Sequence, residues 1–211
     1  MNLQDWESKF ELKMAELVFS TDSAHDLLHF KRVTNLAKQF CKVEGGNPEI
    51  AIPAAWLHDF VIIPKDSPLR NQASKLSAEK AITFLRSIGY SEKFYDEIAH
   101  AILAHSFSAN VETKTIEAKI VQDADRLDGL GAIGIARCFA TAGLLKREFY
   151  NFKDPFCEFR QPDDSQYAID HFFKKLFKTA ESLKTKSGIE EGYRRVEVMK
   201  IYLSSLESEL K

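Results

Sequence analysis

Apolar residues along the chain recur every three or four positions, which is the period of an α-helix with one buried face. The N-terminal segment gives the clearest case, with apolar positions at Leu3, Trp6, Phe10, Met14 and Leu17. Alternation at every second position, which is typical of a half-buried β-strand, produces no convincing strand pair or hairpin. The sequence therefore predicts an all-α protein, and its length of 211 residues fits a single domain.

Cap and turn residues divide this pattern into separate helices. After an N-terminal helix at 1–20, we predict helices at 28–40, 49–60, 74–89 and 91–105, one or two within 115–143, and two near 165–184 and 188–210. Ser74 or Ser77 is a candidate N-cap of the fourth helix, and Ser91 is the candidate for the fifth. Two polar segments that contain proline, 62–72 and 151–164, are predicted to be loops.

The composition argues against several classes of protein. A net charge of -2 and a pI near 6.3 do not support a broad surface for nucleic acids or membranes. The three cysteines are far apart in the sequence, which is typical of reduced thiols in a cytoplasmic protein. The N-terminus has the pattern of an amphipathic helix rather than a signal peptide, and no apolar run reaches the roughly 18 residues of a membrane span. We therefore expect a cytoplasmic protein with neither a nucleic acid nor a membrane as a partner.

Histidines and aspartates next to apolar residues form the candidate functional site. His25 and His29 are four residues apart, about 40° around a helix, so they share a face. The pair His58-Asp59 ends the apolar stretch AAWLHDF, and QDADRLDG contributes Asp123, Asp125 and Asp128. The pattern around Asp125 predicts burial, and a buried carboxylate costs several kcal/mol unless it is paired or bound to a metal. Imidazoles and carboxylates without a thiolate suit a divalent ion such as Mn, Fe, Ni, Zn or Mg.

Taken singly, each of these residues also has a purely structural interpretation. A lone histidine on a helix is more often a hydrogen-bonded structural residue than a metal ligand. Asp26 can support the first turn of its helix, and Asp128 can cap the helix that follows it. Arg126 can be an ordinary surface cation. Only the combination of these residues favours a functional site.

Four motifs, HFKRV, LHD, HS and DADRLD, occur in this order along the chain. Together they resemble the HD-domain superfamily of metal-dependent phosphohydrolases, whose motif is a histidine, a His-Asp pair and a distant aspartate. The longer stretches AHDLLHFKRV, SPLRNQASKLSA, ILAHSF and QDADRLDGLGAIGIAR look like small single-domain bacterial members. The resemblance implies an HD core at about 25–137, with the N-terminal helix and the C-terminal helices of 165–211 packed on it and a metal site between core helices.

Matching the motifs residue by residue implies a set of metal ligands. His29 matches the first histidine, His58 and Asp59 match the pair, and Asp125 matches the last aspartate. Asp123 is two residues away but does not match a ligand position. The resemblance implies one or two divalent ions per chain, and it leaves their identity open.

The same comparison implies catalytic and substrate-binding residues. Asp128 and His105 are candidates to orient a water molecule or to pass protons, and His105 also matches a position that binds a second metal ion or a phosphate in some members. The candidates for contact with substrate are Arg70, Lys75, His25 and Arg126. Arg70 is the first choice because a guanidinium can hold a phosphate through two hydrogen bonds. His100 is about 140° from His105 around one helix and is interpreted as structural, and His171 matches no motif position.

The resemblance implies a phosphohydrolase that acts on a phosphorylated small molecule. A nucleotide is favoured, in particular a nucleoside triphosphate cleaved to monophosphate and pyrophosphate. The main alternative is a non-catalytic helical module with a structural metal. Oxygenase chemistry at two iron ions would need further ligands, which His25 and His105 would have to supply. The chain contains neither the H-E-x-x-H motif of zinc peptidases nor a glycine-rich phosphate loop. A homodimer also stays open, with Trp6 and Phe10 packing either within the chain or across the dimer.

Overall fold

The computed structural model of the protein describes residues 2–18, 26–63, 67, 69–107 and 109–211, apart from the side chains of Val18 and Arg70. Within these ranges it contains nine α-helices: α1 (Leu3–Val18), α2 (Leu27–Glu44), α3 (Pro48–Leu57), α4 (Ala73–Ser87), α5 (Tyr95–His105), α6 (Ile116–Asp128), α7 (Gly131–Leu144), α8 (Phe177–Glu181) and α9 (Lys186–Glu209). The described residues form no strand beyond an isolated bridge between Glu148 and Tyr167. The all-α prediction is confirmed.

Three short helical turns complete the pattern. Arg70–Gln72 and Glu92–Phe94 are 3₁₀ turns that precede α4 and α5, and Phe172–Leu176 is a π-helical turn that leads into α8. These short turns explain why the predicted starts of two helices were displaced, because a 3₁₀ turn often begins or ends an α-helix. The loop predicted at 151–164 contains no helix.

Several of the predicted helix ends were wrong. The helix predicted near 165–184 is shorter, and consists of the π-helical turn Phe172–Leu176 followed by α8. Helix α3 ends at Leu57 rather than near residue 60, and His58 is its C-cap. Helix α4 begins after Gln72, so Ser74 and Ser77 are buried inside the helix and cap nothing at its start. The Ser77 hydroxyl instead accepts a hydrogen bond from the backbone N–H of Val61 at 3.0 Å. Ser91 precedes a 3₁₀ turn, and its side chain forms no cap hydrogen bond.

Well-formed caps fix the ends of the helices near the candidate site. The Asp26 carboxylate accepts a hydrogen bond from the backbone N–H of His29 at 2.8 Å, which begins α2. Gly45 ends α2 with a φ of 76°, a left-handed conformation that glycine adopts without strain. Asn47 caps α3, and Pro48 follows at a first-turn position that tolerates proline.

The chain divides into two compact units. The first comprises Met1–Asp125 and Lys184–Gly188, and the second comprises Arg126–Leu183 and Ile189–Lys211. This division does not test the prediction of a single domain over 1–211, because one domain can contain two such units.

In the first unit, α2 packs on α3, α4 packs on α5, and α3 contacts α1 and α5. Its largest fully buried side chains include Phe10, Phe30, Leu57, Leu85 and Ile98. Phe10 of α1 is fully buried and Trp6 meets Tyr90 edge-to-face at 5.1 Å, so both aromatic residues pack within the chain. The homodimer stays a prediction.

The second unit has its own buried residues and its own ion pair between an arginine and an aspartate. Phe172 stacks on Tyr202 with ring centroids 6.2 Å apart, and Ile169 is fully buried. The Arg160 guanidinium binds both carboxylate oxygens of the buried Asp170. This paired arrangement compensates for burying the Asp170 charge.

Among the described residues, no single helix has both the length and the apolar composition that crossing a membrane requires. Helices α6 and α7 meet that test only when taken together as a bent pair. Core helices of proteins that span no membrane meet it as well, and Ile120 and Val121 of α6 are fully buried within the protein.

Candidate metal centre

The structure brings together five of the side chains that the sequence singled out. Donor atoms of His29, His58 and Asp125 lie within 4.8 Å of one another, and so do those of His58, Asp59 and His105. We call these sets the first triad and the second triad, and His58 belongs to both. The side chains come from the start of α2, the end of α3 and the turn after it, the end of α5, and α6.

Local structure places the histidines at helix ends. His29 lies in the first turn of α2, where its backbone N–H is held by the Asp26 cap. The residues from Ile50 to Leu57 are all buried, so α3 is anchored in the core and ends directly at His58. The apolar stretch before the His58-Asp59 pair thus fixes the position of the pair.

Backbone carbonyls orient two of the imidazole rings. His58 Nδ1 lies 2.8 Å from the carbonyl oxygen of Ala55, and His105 Nδ1 lies 2.5 Å from that of Ile102. A carbonyl only accepts hydrogen bonds, so each Nδ1 carries the proton and donates it. When such a ring is neutral, its Nε2 keeps its lone pair, which is the arrangement found for metal-ligating histidines.

The distances within the first triad fit a single metal ion. His29 Nε2 lies 3.2 Å from His58 Nε2, and Asp125 Oδ1 lies 3.6 Å from the first and 3.7 Å from the second. Two donors that are each about 2.1 Å from one ion are separated by about 3.0–4.2 Å, depending on the angle at the ion. A cation between these atoms would be close to both imidazole nitrogens and to the Asp125 carboxylate.

Asp59 faces both histidines of the second triad through its two carboxylate oxygens. Its Oδ2 lies 3.8 Å from His58 Nε2, and its Oδ1 lies 3.6 Å from His105 Nε2. One carboxylate therefore faces His105 and also His58, which the two triads share. This geometry can serve one ion or two, so the number of ions stays open.

Burial and charge act differently on the two histidines of the second triad. Burial lowers the pKa of His58 to about 4, and nearby Asp59 and Asp125 offset only part of that effect. At neutral pH His58 is therefore uncharged, which is the form that binds metal. Burial also lowers the pKa of His105, but the hydrogen bond and the charge of Asp59 outweigh burial and leave it raised.

Solvent reaches the cluster from its carboxylate side. The side chains of Asp125 and Asp59 are 28% and 15% exposed, whereas those of His29 and His58 are at most 2% exposed. An ion held here would have protein ligands on its buried side. Water or a substrate oxygen could approach from the other side.

Of the predicted substrate contacts Lys75, His25 and Arg70, the structure describes only the side chain of Lys75. Lys75 is exposed and lines an open groove of about 710 Å³ between α4 and α5, together with His100. His25 and the side chain of Arg70 lie outside the described part of the chain. Contact of Lys75, His25 and Arg70 with a substrate stays a prediction.

Two further predicted residues have structural partners in the second compact unit. The Arg126 guanidinium donates to the carbonyl and the hydroxyl of Ser182, at 2.9 Å and 2.8 Å. The buried Asp128 carboxylate accepts a hydrogen bond from Arg137. Both side chains therefore have hydrogen-bond partners within the protein. The roles of Arg126 in substrate binding and of Asp128 in catalysis stay predictions.

Two other histidines behave as structural residues. His100 Nε2 accepts a hydrogen bond from the backbone N–H of Lys114 at 3.0 Å, and burial together with the Lys114 charge lowers its pKa. His171 Nδ1 lies 2.9 Å from a carboxylate oxygen of Asp164. The structural interpretation of His100 agrees with these contacts.

Asp123 has a structural role that agrees with its exclusion from the predicted ligands. It is fully buried, and its carboxylate accepts hydrogen bonds from the backbone N–H groups of Lys184 and Thr185 and from the Thr185 hydroxyl. Sequence reasoning missed Gln122, whose buried amide donates to the carbonyl of Ala104 next to His105. Its spacing of three residues from Asp125 was the available signal, because residues three apart share a helix face.

Metal removal should lower the thermal stability of the protein. An ion that binds only the folded state at 100 times its Kd adds about 2.7 kcal/mol to the free energy of unfolding. For a chain of this size, we expect a Tm about 5–10 °C lower after chelation and dialysis, restored by Mn²⁺. Differential scanning calorimetry with and without Mn²⁺ measures this shift. An unchanged Tm at saturating Mn²⁺ would contradict a metal centre built from these residues.

Comparisons with known proteins show the family of the chain. The family profile of the HD domain matches residues 27–130. Protein YpgQ of Bacillus subtilis is 31% identical over 212 residues, which is 95% of each chain. A crystal structure of Bacillus subtilis YpgQ in complex with ADP has a TM-score of 0.73 at 32% identity, and the match covers 94% of this chain and 97% of that one. An HD-superfamily hydrolase from Bacillus thuringiensis has a TM-score of 0.76 at 30% identity, with 98% and 97% covered. The chain therefore belongs to the HD-domain superfamily.

Proposed function

We propose that the protein is a metal-dependent phosphohydrolase that cleaves a phosphoanhydride bond of a nucleotide. The observation that carries this proposal is the pair of triads, in which buried, oriented imidazoles meet partly exposed carboxylates. Similarity to an HD-superfamily hydrolase supports the hydrolytic class. The chemistry of the donor set supports a divalent ion, because imidazole and carboxylate ligands suit several of the first-row metals and Zn²⁺.

The side chains of this site would have separate tasks. His29, His58 and Asp125 would hold the ion, and Asp59 would contribute a ligand that also faces His105. A divalent ion bound there supplies Lewis acidity, which polarises a phosphoryl oxygen and lowers the pKa of water to near neutrality. The carbonyls of Ala55 and Ile102 keep His58 and His105 in the tautomer with a free Nε2 lone pair. His105 and Asp128 are the proposed residues for orienting water or passing a proton.

A nucleotide is the substrate class that the comparisons favour. YpgQ, which matches nearly the full length of this chain, has been solved with ADP. Arg70 and Lys75 are the proposed phosphate contacts, because both belong to the segment around the start of α4 and carry the required charge. We propose a nucleoside triphosphate as the specific substrate, cleaved to a monophosphate and pyrophosphate.

The alternative function is a non-catalytic module with a structural metal. Structural sites are closed, with all coordination positions taken by protein ligands. Exposure of the Asp125 and Asp59 carboxylates favours a site with an open position and therefore favours the enzyme.

A product assay separates these functions. The wild-type protein, loaded with Mn²⁺, is incubated with ribo- and deoxyribonucleoside mono-, di- and triphosphates, and the products are resolved by ion-exchange chromatography. We expect turnover of at least one nucleotide. The Asp125→Asn variant should lose most of it, because a neutral amide is a weaker ligand for a hard cation than a carboxylate. Bound metal without turnover of any nucleotide would favour the structural module, and the position of the cleaved bond tests the monophosphate-pyrophosphate proposal.

A further inference from the structure

The end of helix α5 is held by two side chains. Carbonyl groups in the last turn of a helix lack partners within the helix and need other donors. His105 Nδ1 donates to the carbonyl of Ile102, and the Gln122 amide donates to that of Ala104 at 2.7 Å. Ala104 and His105 share a peptide group, so the second hydrogen bond fixes the backbone to which the His105 side chain is attached.

Gln122 also connects the two triads. It lies on α6 three residues before Asp125, which belongs to the first triad, and residues at this spacing lie on the same face of a helix. Its amide holds the end of α5, which carries His105 of the second triad. The helix that supplies one candidate ligand therefore also positions another.

Gln122 is a buried donor to the carbonyl of Ala104. Gln122 is only 2% exposed, and its Oε1 has no hydrogen-bond partner among the described atoms. An apolar side chain of similar size would leave the Ala104 carbonyl without this donor, and a buried carbonyl without a donor is unfavourable. The described hydrogen bond of the Gln122 amide leads directly to the peptide group that Ala104 and His105 share.

We propose that Gln122 is a positioning residue that keeps His105 Nε2 close to the Asp59 carboxylate, so that the second triad can bind an ion. The inference rests on the metal centre of the proposed function. Loss of the amide should free the last turn of α5 and let the His105 ring move away from Asp59, while the first triad keeps its geometry.

The test compares Gln122→Met with Tyr95→Phe. Methionine has nearly the size of glutamine but cannot donate a hydrogen bond. Tyr95 lies at the other end of α5, where its buried hydroxyl donates to the carbonyl of Tyr90 at 2.9 Å. Each variant therefore removes one hydrogen bond from a side chain to a backbone carbonyl, but only Gln122→Met does so beside His105. Stability is compared by thermal unfolding.

Two measurements that do not depend on turnover test the proposed role of Gln122. Isothermal titration calorimetry with Mn²⁺ should show binding 10–100-fold weaker in Gln122→Met, or the loss of a second binding event, with little change in Tyr95→Phe. Long-range ¹H–¹⁵N spectra of the metal-free protein should show changed or broadened His105 imidazole signals in Gln122→Met alone. In steady-state kinetics, kcat should fall with little change in KM.

Metal affinity and His105 signals that match wild type in Gln122→Met would overturn the inference. If Gln122→Met does not fold, Gln122→Glu and Gln122→Leu replace it. At a pH where the glutamic acid is protonated, it can still donate to the Ala104 carbonyl, so the metal-free His105 signals of Gln122→Glu should lie closer to those of wild type than the signals of Gln122→Leu at the same pH. Equal changes of the His105 signals in these two variants would also overturn it. If the wild-type protein bound no metal, the proposed function would fail, while the metal-free His105 signals would still decide the role of Gln122.

Discussion

Replacing His58 with alanine should abolish metal binding and lower kcat/KM by at least about 1,000-fold, because an active site that loses its metal loses the main source of charge stabilisation and water activation. His58 is the one residue common to the two triads, so its loss affects every arrangement of one or two ions in this cluster. Metal content is measured by inductively coupled plasma mass spectrometry, and turnover is measured on the best nucleotide of the product assay.

His100→Ala is the matched control for this experiment. His100 lies on α5, as His105 does, but it accepts a hydrogen bond from the Lys114 backbone instead of facing the carboxylates. We expect its metal content to match that of wild type and its kcat/KM to change by less than about threefold. Metal-dependent turnover in His58→Ala close to the wild-type rate would exclude this cluster as the active site.

Asp123→Ala should lower the free energy of unfolding by about 3–5 kcal/mol, because it removes a buried carboxylate that accepts several hydrogen bonds. The backbone N–H groups of Lys184 and Thr185 and the Thr185 hydroxyl would all lose their acceptor. The packing there is close, since a Cβ at Gly188 would lie 2.4 Å from Asp123 Oδ2. Urea unfolding followed by circular dichroism measures the change.

Asp125→Asn provides the contrast, two residues further along the same helix. Asp125 is 28% exposed and faces His29 and His58, so its substitution should change the stability of the metal-free protein by less than about 1 kcal/mol. The same variant should lose metal-dependent turnover. Similar stability losses in Asp123→Ala and Asp125→Asn, with similar activities, would contradict the separation of structural and ligand roles in the QDADRLD segment.

The sequence by itself determined the all-α class, because the positions of apolar residues record a helical period directly. Most helices were predicted within a few residues, as for α2 and the C-terminal α9. The displaced starts of α4 and α5 have one cause: short 3₁₀ turns precede both helices, and they depend on local backbone geometry that the periodicity does not contain.

The candidate ligands were also predicted from motifs, and the structure brings His29, His58, Asp59 and Asp125 into one cluster. That prediction was possible because each ligand type stands in a recognisable segment. The same motifs could not say how the residues are oriented. The carbonyls that hold the Nδ1 protons of His58 and His105 come from the main chain, which any residue supplies equally.

Tertiary structure alone decided the relations between residues distant in sequence. It placed His105 beside Asp59. It also brought the Asp123 carboxylate within hydrogen-bond distance of the backbone N–H groups of Lys184 and Thr185, and the Gln122 amide within hydrogen-bond distance of the end of α5. Sequence periodicity reports which face of a helix is buried, but it does not report which other helix that face meets. Side-chain hydrogen bonds across helices depend on that packing. The sequence could therefore propose candidate ligands, whereas the residues that hold these side chains in place could be found only in the folded chain.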